Sequence, residues 1–264
     1  GLCMSSSKKL LQAAAGNAGE SLYVEDVFST YLYTGTASAI TVNNGIDLSG
    51  EGGLTWLKSR SLAEAHILMD TTRGVSSALV SSNSNAAFTL TDGITAFNSN
   101  GFTLGTSNIT NTNASTNVSW TFRKAEKFFD VVTWTGDGSS PLQTISHSLG
   151  NSPAVIIAKR TDTSGSWWVW HKDFISNQYY MFLNSTAVQA NGGTTLWETT
   201  DTTFSVSSAA GLTTSGATYV AYLFASDAGG FGDDGSENII KCGSYTGNGS
   251  ADGPTINCGF EPQW

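Results

Sequence analysis

The stretch Thr218-Tyr219-Val220-Ala221-Tyr222-Leu223-Phe224 decides the fold class, because it is rich in β-branched and aromatic residues and contains no Gly, Pro or Asp. Its last five residues match Val118-Ser119-Trp120-Thr121-Phe122, which lies 102 positions earlier. Both stretches alternate with period two, as strands do. The chain therefore contains the same predicted strand twice.

The same spacing recurs along the chain. Lys58 and Lys159 are 101 positions apart within similar apolar runs, and Phe102-Thr103-Leu104 matches Phe204-Ser205-Val206 at 102 positions. A further motif occurs three times, as Tyr33-Thr34-Gly35, Trp134-Thr135-Gly136 and Tyr245-Thr246-Gly247. A repeat of about 100 residues can hold its own core, which favours tandem domains over a solenoid.

The predicted fold class is all-β, with tandem β-sandwich domains preceded by a short N-terminal helical arm. Strand candidates such as Ile40-Thr41-Val42 and Leu54-Thr55-Trp56-Leu57-Lys58 are separated by Gly and Asn, and most alternate so that one face would be buried and the other wet. The predicted divisions are an anchoring arm at 1–22, one β-sandwich repeat at 23–126, a second at 127–228, and a Gly/Asp-rich linker with the start of a truncated third repeat at 229–264.

The arm contains the segment that reads best as helix. Ser5-Ser6-Ser7 offers an N-cap, residues 8–15 are good helix formers, and Gly16 is a suitable stop. Lys8 and Lys9 lie at the end where the helix dipole disfavours positive charge, so we expect this helix to need a docking partner for its leucines. The alternative is a disordered N-terminus.

The last part of the chain predicts a flexible joint and an isolated hairpin. Residues 227–236 are rich in Gly and Asp, which is typical of a linker. A two-stranded hairpin is marginally stable alone, so we expect the natural chain to continue beyond Trp264 or the hairpin to pair with another sheet edge. Cys242 and Cys258 flank the turn-rich centre symmetrically and form a candidate cross-strand pair; a register slip would separate them.

Composition excludes several classes of function. The net charge is −9, from 12 Lys and Arg against 21 Asp and Glu, so attraction to phosphates cannot drive nucleic-acid binding. No stretch approaches the roughly 20 apolar residues of a membrane span. Three cysteines are too few for a disulfide framework and show no zinc spacing, so no metal or cofactor is expected.

Catalytic signatures are also missing from the sequence. No GxSxG, HExxH, GxGxxG or P-loop spacing occurs, and the three histidines are scattered. His66 with Asp70, and His171 with Asp173, could each share a strand face, but such pairs are more often surface hydrogen bonds than acid–base pairs. The Asp-Gly steps favour turns over calcium ligands. We assign no catalytic residues and expect no enzyme activity.

The densest aromatic region gives the candidate contact residues. It contains Trp167, Trp168, Trp170, Tyr179 and Tyr180. Alternation sends Trp168 and Trp170 to one face and Trp167 to the other, so one set of rings is a candidate glycan or subunit contact. The competing interpretation is core filling and packing between subunits.

Five longer motifs are distinctive. They are Met4-Ser5-Ser6-Ser7-Lys8-Lys9-Leu10-Leu11-Gln12-Ala13-Ala14, Glu25-Asp26-Val27-Phe28-Ser29-Thr30, Asn44-Gly45-Ile46-Asp47-Leu48-Ser49-Gly50-Glu51-Gly52-Gly53-Leu54, Asp70-Thr71-Thr72-Arg73-Gly74 and Asn238-Ile239-Ile240-Lys241-Cys242-Gly243-Ser244-Tyr245-Thr246-Gly247-Asn248-Gly249. In these motifs the chain resembles virion structural proteins of marine bacteriophages, of the tail-fibre-like kind with repeated β-domains. The resemblance covers nearly the whole chain from Met4.

The resemblance implies a tail fibre in the phage particle that acts in host attachment. Its N-terminal arm, with Lys8, Lys9, Leu10 and Leu11, would bind other virion proteins of the tail or capsid. A homotrimer is the expected oligomer, and a host surface receptor is a further expected partner. The alternatives are a capsid or tail decoration protein and a polysaccharide-degrading tailspike. For Asp70, Arg73 and Gly74 the expected role is a turn with an acceptor, a donor and a positive φ angle.

Overall fold

The computed structural model describes residues 21–262, and this part of the chain is nearly all β. Its first half contains one helical turn, α1 (Val24–Val27), followed by nine strands. The strands are β1 (Phe28–Thr34), β2 (Ile40–Asn43), β3 (Gly53–Ser59), β4 (Ile67–Asp70), β5 (Ser77–Val80), β6 (Phe88–Thr89), β7 (Ile94–Asn98), β8 (Gly101–Leu104) and β9 (Thr116–Arg123). We call β1–β9 the first repeat.

The second repeat comprises the next nine strands. They are β10 (Phe129–Thr135), β11 (Leu142–Ser146), β12 (Val155–Arg160), β13 (Trp168–His171), β14 (Tyr179–Phe182), β15 (Ala190–Asn191), β16 (Trp197–Thr199), β17 (Thr203–Ser207) and β18 (Thr218–Phe224). A 3₁₀ turn, Ser208–Ala210, precedes β18. The predicted strand 218–224 is therefore confirmed.

Strand order is the same in both repeats. The first contains a six-stranded sheet, β1-β9-β3-β4-β5-β6, and a three-stranded sheet, β2-β8-β7. The second contains β10-β18-β12-β13-β14-β15 and β11-β17-β16, in which every strand lies nine places further along the chain. Register repeats as well, since Phe28 pairs with Phe122 and Phe129 pairs with Phe224.

Each three-stranded sheet packs on its own six-stranded sheet to form a sandwich. In the first repeat the enclosed core includes Val42, Leu57 and Phe102. In the second repeat it includes Ile156 and Phe204, together with Tyr219 and Leu223 of β18. An all-β sandwich architecture is therefore confirmed.

A third core joins the two sandwiches. We call it the shared core, and it lies between the two six-stranded sheets, with Leu54 and Phe122 from the first repeat and Phe129 and Tyr222 from the second. In each six-stranded sheet, alternate residues face the sandwich core and the others face the shared core. The described residues therefore form four layers, with three, six, six and three strands.

This layering corrects the expectation that the strands bury one face only. In β18 all six residues from Tyr219 to Phe224 are buried, because Val220 and Tyr222 face the shared core while Tyr219 and Leu223 face the sandwich core. The residue boundaries proposed for the domains stay predictions.

The repeated Thr-Gly step has a steric cause. A Cβ on Gly35 would overlap the carbonyl oxygen of Thr112, and a Cβ on Gly136 would overlap that of Thr214. The N–H of Gly35 also donates a 2.8 Å hydrogen bond to the carbonyl of Ser115, and the N–H of Gly136 donates one of the same length to the equivalent carbonyl, that of Ala217. Glycine is needed because another chain segment passes directly over it.

The C-terminal segment differs from its prediction. Residues 238–262 contain no strand, so the expected hairpin is not formed. The Gly/Asp-rich stretch is also not a free joint, because Phe231 is buried in the shared core and the N–H of Gly232 donates to the carbonyl of Leu22 at 2.9 Å. Gly247 has no atoms near its Cβ position, so its Thr-Gly step lacks the neighbour found at Gly35 and Gly136.

The start of the third predicted repeat is nevertheless held like the start of the second. Asp227 N–H donates to the carbonyl of Ile240 at 3.0 Å, just as Ala125 N–H donates to that of Phe129 at 3.0 Å. Ile240 also packs against the shared core. A strand does not follow because this segment has no partner strand among the described residues.

The helical arm predicted at the N-terminus lies almost wholly outside the described residues, and so do Lys8, Lys9, Leu10 and Leu11. The described part begins with Ser21 and Leu22, and the helical turn comes later, at Val24–Val27. The N–H of Tyr23 donates to the Asp26 carboxylate at 2.9 Å, which fixes the start of this turn.

Candidate functional site

A buried polar cluster joins the two repeats. Asp70 ends β4 with its carboxylate fully buried, and it accepts hydrogen bonds from Arg73 Nε at 2.7 Å and from the Tyr222 hydroxyl at 2.9 Å. Arg73 Nη2 also donates to the Tyr222 hydroxyl at 3.2 Å. Because Tyr222 belongs to β18, this cluster ties a turn of the first repeat to the centre of the second.

The cluster keeps its charges because its members satisfy one another. Burial alone would lower the pKa of Arg73, but Tyr222 and Asp70 raise it overall, so the guanidinium stays charged. Burial raises the pKa of Tyr222, so its hydroxyl stays a proton donor. The arrangement is suited to holding two sheets together and to excluding water, as a satisfied buried network does.

Asp70, Arg73 and Gly74 also form the predicted turn. The N–H of Arg73 donates to Asp70 Oδ1 at 2.9 Å, and Gly74 has a φ angle of +86°. The sequence pattern did not predict the contact with Tyr222. A sequence feature that indicates such a contact is the aspartate at the end of the otherwise apolar run Ile67–Asp70, because an unpaired charge there would be costly.

A loop of the first repeat adds main-chain bonds to the same junction. Trp167 Nε1 donates to the carbonyl of Val80 at 2.9 Å, and the N–H of Gly165 donates to that of Ser84 at 2.8 Å. The ammonium of the buried Lys159 lies 3.4 Å from the Ser84 carbonyl, and burial lowers its pKa to about 8. Lys159 and Trp167 are both buried on this side of the junction.

A second aromatic cluster lies on the first repeat and is half-exposed. Trp56 Nε1 donates to His66 Nδ1 at 2.9 Å, and the His66 ring stacks on Trp120 with centroids 6.4 Å apart. Burial, followed by the charge of Lys58, lowers the pKa of His66. The histidine is therefore neutral at pH 7, with its proton on Nε2 because Nδ1 accepts from Trp56.

An apolar cavity of about 470 Å³ opens beside this cluster. Phe28 and Phe122 line it from one six-stranded sheet and Val155 and Phe224 from the other, while Ile240 closes it from the C-terminal segment. Among the described residues, the charged ones in its lining are Glu237, Lys241 and Glu261. Such walls can accept an apolar side chain, and they offer few polar partners for orienting a small substrate.

A match to a known protein family spans both repeats and the C-terminal segment. A family described as "Domain of unknown function (DUF7483)" matches residues 24–264. The chain belongs to the DUF7483 family. No curated protein and no solved structure matches it. The DUF7483 match begins at residue 24, which is the first residue of the helical turn, and the predicted arm at 1–22 lies outside the matched range.

The structure partly corrects the predicted aromatic contact. Trp167 is fully buried in the shared core and Trp170 is 6% exposed in the sandwich core, so neither ring can stack on a glycan. Trp168, Tyr179 and Tyr180 are half-buried. For these three residues a glycan or subunit contact stays a prediction.

The predicted cysteine pair is not formed. Cys242 and Cys258 are free thiols, and both line the apolar cavity. Burial raises the pKa of the Cys242 thiol to about 11, and its Sγ donates to the carbonyl of Ala225 at 3.4 Å. The prediction was wrong because it assumed two paired strands, which this segment does not form.

The two histidine–aspartate pairs considered from the sequence have other roles. His66 bonds to Trp56, whereas Asp70 bonds to Arg73 and Tyr222. His171 Nδ1 accepts from the main-chain N–H of Asp173 at 3.0 Å, as in a turn. Within residues 21–262 no group of three His, Cys, Asp or Glu side chains could hold a metal ion.

Across the part of the chain that the structure describes, no helix has both the length and the apolar character that a membrane crossing needs.

Proposed function

We propose that this chain is a non-enzymatic structural protein of a bacteriophage virion and that it serves as a tail fibre. In this proposal the N-terminal arm attaches to other virion proteins, the chains form a homotrimer, and the β-sandwich repeats project toward a host surface receptor. The observation that supports it best is the shared core, which joins successive repeats into one body instead of leaving them on a flexible joint.

Mechanical continuity is the physical reason. A fibre must transmit force along its length, and a junction held by Phe122, Phe129 and Tyr222 resists bending better than a Gly-rich linker does. The buried Asp70–Arg73–Tyr222 cluster adds directional bonds to this apolar contact. The low share of charged residues and the many hydroxyl and amide side chains also suit a particle that is exposed to the medium.

The direct experiment is mass spectrometry and cryo-electron microscopy of purified phage particles that encode this chain. The proposal expects peptides of the chain in the particle and density for its paired sandwiches on the tail. Particles from a phage lacking the gene should adsorb poorly to host cells. Particles that contain no trace of the chain would contradict the proposal.

A decoration protein is the second candidate, and the compact four-layer arrangement favours it, since a block can tile a shell as well as extend a fibre. Copy number separates the two functions. Tens of copies around the tail support a fibre, whereas hundreds on the shell support decoration.

A polysaccharide-degrading tailspike is the third candidate. Such an enzyme needs two carboxylates flanking a sugar, and the described part of the cavity lining contains Glu237 and Glu261. Incubation with host surface glycan should release no oligosaccharide if the protein is structural. Release that is abolished by Glu237→Gln would support the enzyme instead.

A further inference from the structure

The C-terminal segment begins like the first strand of each repeat. In both repeats an aromatic residue followed by Thr-Gly lies at the end of that strand, and Tyr245-Thr246-Gly247 repeats this pattern. Counting back five positions from the aromatic residue leads to Phe28 in β1, to Phe129 in β10 and to Ile240 in the C-terminal segment. We call residues 240–247 the acceptor segment. None of its residues, all of which the structure describes, has a positive φ angle, so its backbone can extend as β1 and β10 do.

Every second residue of β10 is hydrogen-bonded to β18. The N–H of Gly136, directly after β10, donates to the carbonyl of Ala217 at 2.8 Å. In the antiparallel register that continues from this bond, the residues of β10 that bond to β18 are therefore Asp130, Val132 and Trp134. The main-chain groups of the residues between them point to the opposite edge of the strand.

The acceptor segment has an edge equivalent to the one at which β10 binds β18. By position, the residues of this edge are Lys241, Gly243, Tyr245 and Gly247. Their main-chain N–H and C=O groups form no hydrogen bond with any residue that the structure describes. On the opposite edge, the N–H of Cys242 donates to the Ser226 hydroxyl at 2.9 Å. The acceptor segment is thus held along one edge, and its other edge offers main-chain donors and acceptors to a further strand.

Gly247 leaves room for a chain segment that would pass over it. In the two repeats the carbonyl of Thr112 lies over Gly35 and that of Thr214 lies over Gly136, so closely that a Cβ would overlap it. Each of these carbonyls belongs to the segment that leads into the last strand of its repeat. At Gly247 no described atom lies within 4 Å of the Cβ position. A strand bound as β9 and β18 are would bring such a segment over Gly247.

Tyr245 would be covered by the same strand. The equivalent Trp134 is buried, and its ring stacks on Tyr219 of β18 with centroids 5.0 Å apart. The equivalent Tyr33 is half-buried, and its hydroxyl donates to the carbonyl of Thr110 at 2.7 Å. Tyr245 itself is 68% exposed. Covering its ring removes apolar surface from water and therefore favours binding of the strand.

Neither strand of this kind within residues 21–262 is available to the acceptor segment. β9 already lies between β1 and β3, and β18 lies between β10 and β12, so each is paired along both edges. A second copy of this chain could lend either strand only by opening one of its own repeats. We propose that the acceptor segment binds an antiparallel β-strand of a partner protein, with the alternating apolar and aromatic pattern of β9 and β18. The partner's main chain bonds along the edge of Gly243 and Tyr245, and the segment before its strand passes over Gly247.

The test mixes the whole 264-residue chain with a synthetic peptide of residues 212–225, which contains β18 and the segment before it. Two lysines added to the N-terminus of the peptide keep it soluble. Fluorescence anisotropy of the labelled peptide should show saturable binding, and hydrogen exchange of residues 240–247 should slow as the peptide is added. A peptide of the same composition in scrambled order should do neither.

Two glycine variants make the test specific. Gly247→Ala should weaken peptide binding about tenfold or more, because the new methyl group would overlap the carbonyl that passes over this position. Gly243→Ala is the matched control and should bind the peptide normally, because Tyr31 and Val132 carry side chains at the equivalent positions. No described atom lies within 4 Å of either Cβ position in the unbound chain, so both variants should fold alike.

N-methylation of the peptide tests the direction of the hydrogen bonds. In the structure the N–H of Ala221 points toward β10 and that of Val220 toward β12, as the two registers require. A peptide N-methylated at Ala221 should therefore lose binding, whereas one N-methylated at Val220 should bind as the unmodified peptide does.

Absence of saturable binding to the wild-type chain would overturn the proposal. So would equal binding to Gly247→Ala and Gly243→Ala, or slowed exchange confined to another surface. Slowed exchange of residues 240–247 when the concentration of the chain alone is raised would identify a second copy as the occupant and would also overturn it. The measurement concerns binding in solution, so its outcome is independent of a place in the virion.

Discussion

The hydroxyl of Tyr222 donates a 2.9 Å hydrogen bond to the buried carboxylate of Asp70, a residue 152 positions away in the other repeat. Both side chains are buried where the two repeats meet. This bond, together with the bonds that Arg73 donates to the same two side chains, fixes the register of the two repeats across the shared core. The repeats are thus joined by a specific junction as well as by a chain connection.

Replacing Tyr222 by Phe should destabilise the protein by about 1–3 kcal/mol, because the buried Asp70 loses one donor. Urea unfolding followed by tryptophan fluorescence measures this. Tyr219→Phe is the matched control, since its hydroxyl donates to Gly211 inside the second repeat at 2.9 Å. Hydrogen exchange should show loosening of both repeats in the first variant and of the second repeat in the control. Identical exchange patterns would contradict the role given to Tyr222.

Asp70→Asn should cost more, about 3–5 kcal/mol, because it leaves the Arg73 charge buried without its anion. The double variant Asp70→Asn with Arg73→Met should recover part of this loss, since it removes the unpaired charge. Chemical denaturation of both variants gives the comparison. A double variant less stable than Asp70→Asn alone would show that the pair is not coupled as described.

Gly136→Ala should destabilise the fold by about 1–3 kcal/mol, because the new methyl group overlaps the carbonyl of Thr214. Gly247→Ala changes the same motif in the C-terminal segment, where nothing lies within 4 Å, and should change stability little. Thermal unfolding of the two variants tests the steric argument. Equal losses at the two glycines would contradict it.

Stability should fall as the pH drops below about 6.5. Burial lowers the pKa of His66, His147 and His171 in the folded state, so the unfolded state binds more protons in the window below the ordinary histidine value. The stabilisation that these histidines contribute is fully present above about pH 6.5. It is lost as the pH falls from there to the pKa values of the histidines in the folded state. The triple variant His66→Gln, His147→Gln and His171→Gln should flatten the pH dependence between pH 7 and 5. An unchanged slope in urea titrations would contradict this assignment.

Much of the fold could be predicted from local pattern. The strand at residues 218–224 could be predicted because alternation is a property of neighbouring side chains. The repeat spacing could be predicted because the motifs themselves recur in the sequence. The shared core could not be predicted in this way. Alternation in Thr218–Phe224 shows two apolar faces but does not say which surface covers the second one.

The candidate site was predictable only in part. The Asp70–Arg73–Gly74 turn is local and was predicted, whereas the Tyr222 contact depends on how two sheets meet. The cysteine pair was wrong because symmetry about a turn fixes a pairing only when both strands exist. Cys242 instead lies against the shared core, where its thiol bonds to Ala225.

Hydrogen exchange with mass spectrometry through a urea titration of the whole chain tests the central claim most directly. If the two repeats form one body through their shared core, amides of β3 and β9 should lose protection at the same urea concentration as amides of β12 and β18. Two separated midpoints, with one repeat exchanging while the other stays protected, would contradict the account.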